Sequence, residues 1–294
     1  MTLSNPKKLS NKLWQVRAQL AEDWFINLKD QICFSFLELE NNYNKEKNLK
    51  KKYFKNNRWL KDIDCPENGG GTSSVMRGNL FEKVGVNVSR VIGAFPKNFQ
   101  KSIKGAARNP NFFATGISVV AHMQSPLIPA AHFNTRFIIT EDAWFGGGCD
   151  LTPTYNVNFV KNDFHNSLKN FCSKYNNNYY DKYSESCKNY FYLKHRKEER
   201  GVGGIFFDYL QDDWEKNFSF IKGNGNFFLS YFVKLVKKYY KKEWTYFQRK
   251  KLLLKRSRYV EFNLLYDKGT MFGLQTGGNV DAILMSMPPV VEWK

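Results

Sequence analysis

Residues 132–137 read HFNTRF, a stretch in which His132, Asn134 and Arg136 alternate with Phe133, Thr135 and Phe137. Such alternation is typical of a β-strand and places His132, Asn134 and Arg136 on one face, with neighbours about 7 Å apart. The opposite face then carries the remaining three residues, Phe133, Thr135 and Phe137. The polar row can hold a carboxylate through the guanidinium and exchange a proton through the imidazole. A polar strand face without any function is the alternative.

The strand pattern continues on both sides of this stretch. His122 and His132 flank a turn that contains Pro126 and Pro129, and on the preceding strand His122 shares a face with Ser118. Short β-branched or aromatic runs, bounded by Gly, Pro or Asp, predict strands at 84–88, 117–121, 136–140 and 203–207. The central part of the chain is therefore predicted to form a sheet.

Helical periodicity dominates elsewhere. Residues 9–39 are predicted to form one long helix, because an apolar residue recurs at every fourth position: Leu20, Trp24, Leu28, Ile32 and Phe36. Two helices separated near 175–178 are predicted for 158–195, and another for 226–256. Strands are predicted again at 259–266, 271–275 and 282–287. The Gly-rich segment 69–74 is predicted to be a flexible loop, and it lacks the G-K-[ST] ending of a phosphate-binding loop.

The order of these elements determines the predicted fold class. Blocks of strands and blocks of helices, without regular βαβ alternation, predict an α+β fold with a large, mostly antiparallel sheet. No internal repeat or long linker interrupts the chain. Residues 1–294 are therefore predicted to form a single domain.

Composition limits the classes of protein that need to be considered. The 294 residues include 45 Lys and Arg against 27 Asp and Glu, a formal charge of +18, and 42% are hydrophobic, which argues against disorder. The charge alone suggests an anionic partner, including nucleic acid, although the Lys/Asn/Tyr/Phe bias is also what an AT-rich genome produces. No apolar run approaches the ~20 residues of a membrane span. Five scattered cysteines without a C-x-x-C pair predict reduced thiols and a cytoplasmic location.

Two acids and three further histidines are candidates for chemistry. Asp150 follows the Gly-rich run 144–149, and Asp267 follows the strand predicted at 259–266; either can equally be a capping or turn aspartate. His122, His165 and His195 come from separate elements and could ligate a divalent metal, or could be ordinary core and surface histidines. A dinucleotide-binding G-x-G-x-x-G between strand and helix is absent from the sequence.

Long ordered motifs give the chain a strong resemblance to a known family. They include WFGGGCDLTP at 144–153, YFYLKHR at 190–196, RGVGGIFFD at 200–208 and RYVEFNL at 258–264, and further matching segments lie at 69–77, 81–87, 118–136 and 273–278. Together they resemble oxygen-dependent coproporphyrinogen III oxidase, and the resemblance covers nearly the whole chain from about residue 14.

The resemblance implies a reaction, a fold and an assembly. The family converts two propionates of coproporphyrinogen III to vinyl groups with molecular oxygen as oxidant, and it uses no flavin, haem, nicotinamide (NAD) or iron–sulfur cluster. Its members are homodimers with an antiparallel sheet between two layers of helices. A divalent metal cation is the one further cofactor that the resemblance suggests. Nucleic acid and a membrane span are not expected.

The resemblance also implies roles for individual residues. His132 matches the proton donor, and substrate-binding positions match Ser118, Asn134, Thr135, Arg136, Gly277, Gly278 and Asn279. His122, His165 and His195 match the positions assigned to the metal. Asp150 or Asp267 could accept hydrogen bonds from pyrrole N–H groups, with Asp267 preferred, and Lys268 is a possible second cation for a propionate.

The chain departs from the family pattern in three places. Lys268 and Asn279 stand where arginine is usual, and the sequence stops at 292–294, short of the C-terminal tail that most relatives carry. These departures motivate one alternative, an inactive relative of the oxidase. A basic nucleic-acid-binding protein is the other alternative, and only the charge of +18 motivates it.

Overall fold

A seven-stranded antiparallel sheet forms the centre of the computed structural model, which describes residues 5–275 and 278–294. Its strands are β1 Lys55–Leu60, β2 Gly69–Met76, β3 Phe81–Ala94, β4 Asn111–Met123, β5 Ala130–Ile139, β6 Ala143–Thr152 and β9 Gly203–Leu210. They lie in the order β1-β2-β3-β4-β5-β6-β9, and every neighbouring pair is antiparallel. A separate short hairpin consists of β7 Tyr192–Leu193 and β8 Glu198–Glu199.

Helices cover both faces of the sheet. Their bounds are α1 Lys12–Glu46, α2 Lys97–Gln100, α3 Val157–Ser173, α4 Tyr179–Tyr190, α5 Trp214–Tyr239, α6 Tyr246–Leu265, α7 Lys268–Gln275 and α8 Val280–Ile283, with 3₁₀ turns at Lys7–Ser10, Pro66–Asn68 and Leu284–Ser286. Helices α1, α3 and α5 pack on the apolar face of the sheet. The chain from α6 to the last 3₁₀ turn lies over the other face, where Met285 contacts Ser73. The predicted α+β sandwich is thus confirmed.

The alternation in β5 produces the two faces. Phe133 and Phe137 are fully buried in the core beneath α5, whereas His132, Asn134 and Arg136 are only half-buried on the other side of the strand. We call the side that carries His132 the polar face. The face assignment predicted from the sequence is therefore confirmed.

The long first helix is also confirmed, but its buried stripe differs from the prediction. Leu28, Ile32 and Phe36 are buried as expected, whereas Leu20 is exposed and Phe25 replaces Trp24 in the core. A strict spacing of four drifts around a helix that has 3.6 residues per turn. The buried side chains therefore follow mixed steps of three and four.

The segment predicted to be a flexible loop at 69–74 is instead strand β2. Its glycines allow the neighbouring strands to approach closely, since a Cβ atom at Gly71 would collide with the indole ring of Trp59. That indole lies across β2 and donates a hydrogen bond to Asn87 on β3. The prediction was wrong because glycine serves close packing here.

The strands predicted at 259–266, 271–275 and 282–287 are wrong as well. Helix α6 includes residues 259–265, and α7 includes residues 271–275. In the third segment, residues 282–286 belong to α8 and the last 3₁₀ turn. The single helix predicted for 226–256 is likewise two helices, α5 and α6. The side chain of Thr245 and that of Gln248 form a reciprocal capping box that starts α6.

Two further properties concern the whole chain. Within the described residues, every helix is too short or too polar to cross a bilayer. The single-domain organisation of residues 1–294 stays a prediction.

Candidate active site

The predicted site residues of three strands lie beside one another on the polar face. In the strand register Ser118 is opposite Asn134, and His132 is opposite Asp150. The next polar residue of β5, Arg136, is opposite Gly146, where an added Cβ would collide with the guanidinium. The structure therefore brings Ser118, His132, Asn134, Arg136 and Asp150 together, and a glycine leaves room for the longest of them.

His132, Asp150 and Arg200 form one hydrogen-bonded unit. Nδ1 of His132 lies 2.8 Å from one carboxylate oxygen of Asp150, and the guanidinium of Arg200 lies 2.5 Å from the other. Asp150 and Arg200 are almost completely buried. Burial alone would raise the pKa of the Asp150 carboxyl, but the charge of Arg200 and the hydrogen bond with His132 hold that pKa below its ordinary value. Asp150 is therefore ionised at neutral pH.

The ionised carboxylate determines how the imidazole can act. A carboxylate only accepts hydrogen bonds, so Nδ1 of His132 carries the hydrogen and donates it to Asp150. Nε2 makes no hydrogen bond to the described residues, and the ring packs edge-on against Phe191. With Nδ1 held by Asp150, Nε2 is the ring nitrogen of His132 that remains to exchange a proton at the polar face.

Aromatic rings hold Arg200 in place. Its guanidinium lies over the ring of Phe191 at 4.0 Å, and over those of Tyr259 and Phe262 at 4.7 and 4.8 Å. Cation–π contacts of this kind favour a buried guanidinium. Arg200 was not among the site residues predicted from the sequence. The residue lies 50 positions from Asp150 along the chain, and only the register of β6 with β9 brings the two regions together.

Arg136 is already paired with a carboxylate of the protein. Its guanidinium donates to Asp208 at 2.9 Å, and both side chains remain about one-third exposed. A single such bond leaves the other guanidinium N–H groups able to reach a second carboxylate. Sequence reasoning missed Asp208, although that residue lies within one of the motifs.

Asp267 lies at the start of α7 and accepts three hydrogen bonds. The hydroxyl of Tyr190 donates to one oxygen at 2.9 Å, and the amide and hydroxyl of Thr270 donate to the other at 2.7 and 2.8 Å. The ring of Tyr190 stacks on Phe206 of β9 with centroids 4.3 Å apart. The capping interpretation of Asp267 is therefore correct, and Tyr190 links this carboxylate to the polar face of the sheet.

The remaining predicted residues of the C-terminal part have local structural roles. Lys268 is exposed, and its backbone N–H donates to the hydroxyl of Tyr190. The amide of Gly278 donates to the carbonyl of Gly273. The side chain of Asn279 caps α8 by accepting from the amide of Ala282 at 2.9 Å. Gly277 lies outside the described residues.

The Thr135 side chain lies on the other face of β5 from those of Asn134 and Arg136. Its side chain is buried on the apolar face, so it cannot reach the polar face on which Asn134 and Arg136 lie. The alternation of β5 thus turns the Thr135 side chain away from Asn134 and Arg136, and substrate binding at Thr135 stays a prediction. The buried hydroxyl has no hydrogen-bond partner among the described residues.

This orphaned hydroxyl gives a prediction about stability. We expect Thr135→Val to raise the free energy of unfolding by about 1 kcal/mol, because it removes a buried polar group without a partner. Thr115→Val is the matched control on β4, since that buried hydroxyl donates to the carbonyl of Ser89 at 2.9 Å. The control variant should lose about 1 kcal/mol. Urea unfolding measures both, and equal losses in the two variants would contradict the prediction.

The three histidines assigned to a metal do not lie together. His122 bonds the carbonyl of Ser286, and burial followed by the charge of Arg256 lowers the pKa of its imidazole to about 3. His165 bonds the hydroxyl of Tyr180 and the carbonyl of Val202. His195 bonds Tyr266 and Glu261. Within residues 5–275 and 278–294, no three His, Cys, Asp or Glu side chains are grouped as ligands. The predicted ligand set therefore does not fit one metal ion.

Comparison with known proteins identifies the family. The family model for coproporphyrinogen III oxidase matches residues 20–294. Two proteins called oxygen-dependent coproporphyrinogen-III oxidase, from Rickettsia bellii (strain OSU 85-389) and Rickettsia rickettsii (strain Sheila Smith), are 51% and 49% identical to this chain over 276 residues, 94% of this chain and 98% of each relative. A third protein of the same name, from Rickettsia akari (strain Hartford), is 48% identical over 287 residues, 97% of this chain and 99% of the relative. The chain therefore belongs to the coproporphyrinogen III oxidase family.

Proposed function

We propose that this chain carries out the oxygen-dependent oxidative decarboxylation of coproporphyrinogen III in haem biosynthesis. In each of two rounds a propionate becomes a vinyl group. Breaking the bond to the carboxylate releases carbon dioxide, and the neighbouring carbon loses a hydrogen. Two electrons pass to oxygen, so that one propionate, one O₂ and one proton give one vinyl group, one CO₂ and one H₂O₂. The products are protoporphyrinogen IX, carbon dioxide and the reduced oxidant.

The His132–Asp150–Arg200 unit is the single observation that best supports this assignment. The balanced reaction consumes a proton, and a general acid on the polar face can supply it. Asp150 holds Nδ1–H of His132, so Nε2 is the atom that delivers the proton. Arg200 keeps Asp150 ionised, so this carboxylate remains an acceptor for Nδ1–H of His132 and holds the ring in one orientation.

We assign the binding of the porphyrinogen to the groups around this unit. One propionate binds the N–H groups of Arg136 that Asp208 leaves unoccupied. Ser118 and Asn134 offer a hydroxyl and an amide beside it. Asp267 has further acceptor capacity for pyrrole N–H groups and is our candidate for the carboxylate that stabilises positive charge on the ring. Lys268, exposed next to it, can attract a second propionate.

An activity assay under three conditions tests the function. Purified protein in air should release carbon dioxide and form vinyl groups from coproporphyrinogen III, and turnover should cease under strict anaerobiosis. His122, His165 and His195 do not form one ligand set. We therefore expect the aerobic rate in the presence of EDTA to stay within about twofold of the rate without it, well below the tenfold change that corresponds to ~1.4 kcal/mol. Full activity without oxygen would contradict the function, and loss of activity in EDTA that zinc or manganese restores would contradict the metal expectation.

We also propose a homodimer that forms through the last helices. Leu264 and Leu265 at the end of α6, Leu274 on α7 and Val280 on α8 are large apolar side chains that are exposed in one chain. Helix α7 contacts both α6 and α8. An exposed apolar surface of this kind is typical of a subunit interface.

The dimer proposal predicts the effect of charges at this surface. Leu264→Asp combined with Leu265→Asp should convert the dimer to a monomer at micromolar concentration, because two carboxylates would be buried without partners. Phe34→Asp on the exposed side of α1 is the control and should leave the dimer intact. Sedimentation velocity distinguishes the two states. A dimer that persists in the double variant would exclude this surface.

The cell compartment is part of the proposal. All five cysteines are free thiols, three of them buried. Reduced thiols are typical of cytoplasmic proteins, and we propose that location. The comparisons give no support to the nucleic-acid-binding alternative.

A further inference from the structure

Three exposed aromatic residues lie where the chain passes from α5 to α6, outside the catalytic face. Tyr246 and Phe247 are 73% and 81% exposed, and the neighbouring Trp244 is 40% exposed. We call these three residues the aromatic tip. Large aromatic side chains with such exposure are costly in water, and nothing in the catalytic proposal uses them.

The aromatic tip is rigidly held. Tyr246 and Phe247 are the first two residues of α6, and the Thr245–Gln248 capping box fixes the start of that helix. One turn further on, Arg249 is anchored to Glu82 at 2.5 Å and to the carbonyl of Gln124 at 2.9 Å. The rings are therefore presented outward by a fixed helix start and not by a loose loop.

Lysine-rich segments adjoin the aromatic tip. Segments 45–51 and 241–251 together contain eight lysines and two glutamates. The two segments lie beside each other, because Glu46 accepts hydrogen bonds from Tyr240 and Lys241, both at 3.1 Å. This ion pair joins one glutamate to one lysine, which leaves seven lysines and one glutamate in the two segments. The segments next to the exposed rings therefore carry a net positive charge.

We propose that the aromatic tip and its lysines dock the protein on an anionic lipid surface. Aromatic rings insert at the boundary between headgroups and acyl chains, and lysines around them attract anionic headgroups. Exposed rings at the start of a helix fit this partner, whereas binding of a nucleic acid strand requires a groove that follows its backbone. Docking on lipid is consistent with the proposed reaction, since each round replaces a charged propionate with an apolar vinyl group and so makes the product more apolar than the substrate. The docking itself does not depend on that reaction.

Vesicle co-sedimentation tests the docking. The full-length protein should bind vesicles of phosphatidylcholine with phosphatidylglycerol at low salt, and should bind pure phosphatidylcholine at least about tenfold more weakly, because several lysines each contribute to attraction by anionic lipid. Raising the salt should release it, because the exposed charges are then screened. Absence of binding to the anionic vesicles at low salt would overturn the proposal.

Substitutions in the aromatic tip separate docking from charge alone. Tyr246→Ser with Phe247→Ser should weaken vesicle binding at least about tenfold, because two large apolar contacts are lost. Phe34→Ser with Ile63→Ser is the matched control, since those side chains are 64% and 84% exposed on other elements, and it should bind as the unaltered protein does. Thermal unfolding checks that both variants fold. Equal vesicle binding by the two variants would overturn the proposal.

Two further outcomes would assign the aromatic tip to another partner. If the tip variant loses an oligomer that the control variant keeps, the tip is a contact between copies of this chain. If duplex or single-stranded DNA displaces the protein from the vesicles and the tip variant loses that DNA binding, the partner is nucleic acid. Either result would overturn the lipid proposal.

Discussion

His132→Ala should lower kcat for coproporphyrinogen III by about 10²–10⁴-fold, the usual contribution of a positioned general acid. KM should change little, because the ring delivers a proton from Nε2 and does not carry a propionate. Asp150 remains held by Arg200 in this variant, so the fold should persist. Steady-state assays of vinyl formation together with a urea unfolding curve give both quantities.

A second histidine variant provides the control. His195→Ala removes an exposed imidazole that pairs with Glu261 and Tyr266 away from the polar face. It should keep kcat within a few-fold of the unaltered protein. If the two variants lose activity equally, or if His132→Ala retains full kcat, His132 is not the proton donor.

Arg200→Leu is expected to cause the largest loss of stability. It leaves the buried carboxylate of Asp150 without its guanidinium partner, and breaking a buried pair in this way costs about 3–5 kcal/mol. Arg196→Leu is a control four residues earlier, where an exposed guanidinium pairs with Glu261. The free energy of unfolding of that control should change far less. Similar losses in both variants would contradict the assigned role of Arg200.

The pH dependence of stability follows from the same pair. The pKa of Asp150 lies below its ordinary value of 3.8 in the folded protein. The ionised carboxylate therefore stabilises the fold above that value, and the stabilisation is lost as the pH falls through the lower folded pKa. In Arg200→Leu burial is less opposed, so the pKa rises and acid unfolding should begin at higher pH. Unfolding curves between neutral and acidic pH measure this shift.

Local sequence rules were sufficient where one pattern dominated. In β5 the alternation of HFNTRF predicted both the strand and its polar face, and in α1 Leu28, Ile32 and Phe36 predicted the buried side. These patterns succeed because a strand repeats every two residues and a helix every 3.6. The same rule, applied consistently, also shows that the Thr135 side chain faces away from the site.

Local rules failed where packing overrode propensity. Residues 259–266 are rich in aromatic and β-branched side chains and were predicted to be a strand, yet Tyr259, Phe262 and Asn263 are buried at helical spacing in α6. Intrinsic β-propensity is weak compared with tertiary contacts. Arg200 and Asp208 escaped assignment for a different reason, since their partners Asp150 and Arg136 are 50 and 72 residues away. Only the strand register brings them together.

Asn279 illustrates how a departure from the family pattern can have a local explanation. At a position where the resemblance implies arginine for a propionate, this side chain caps α8. The cap satisfies an amide at the helix start. Asn279 therefore has a structural role that does not depend on a propionate.

The ratio of oxygen consumed to carbon dioxide released tests the central claim most directly. An oxygen electrode and trapping of carbon dioxide, run on one reaction with coproporphyrinogen III, give both amounts. We predict one O₂ consumed for each CO₂ released and each vinyl group formed, with no vinyl formation once oxygen is exhausted. Vinyl formation that continues without oxygen, or carbon dioxide release without oxygen uptake, would contradict the assignment.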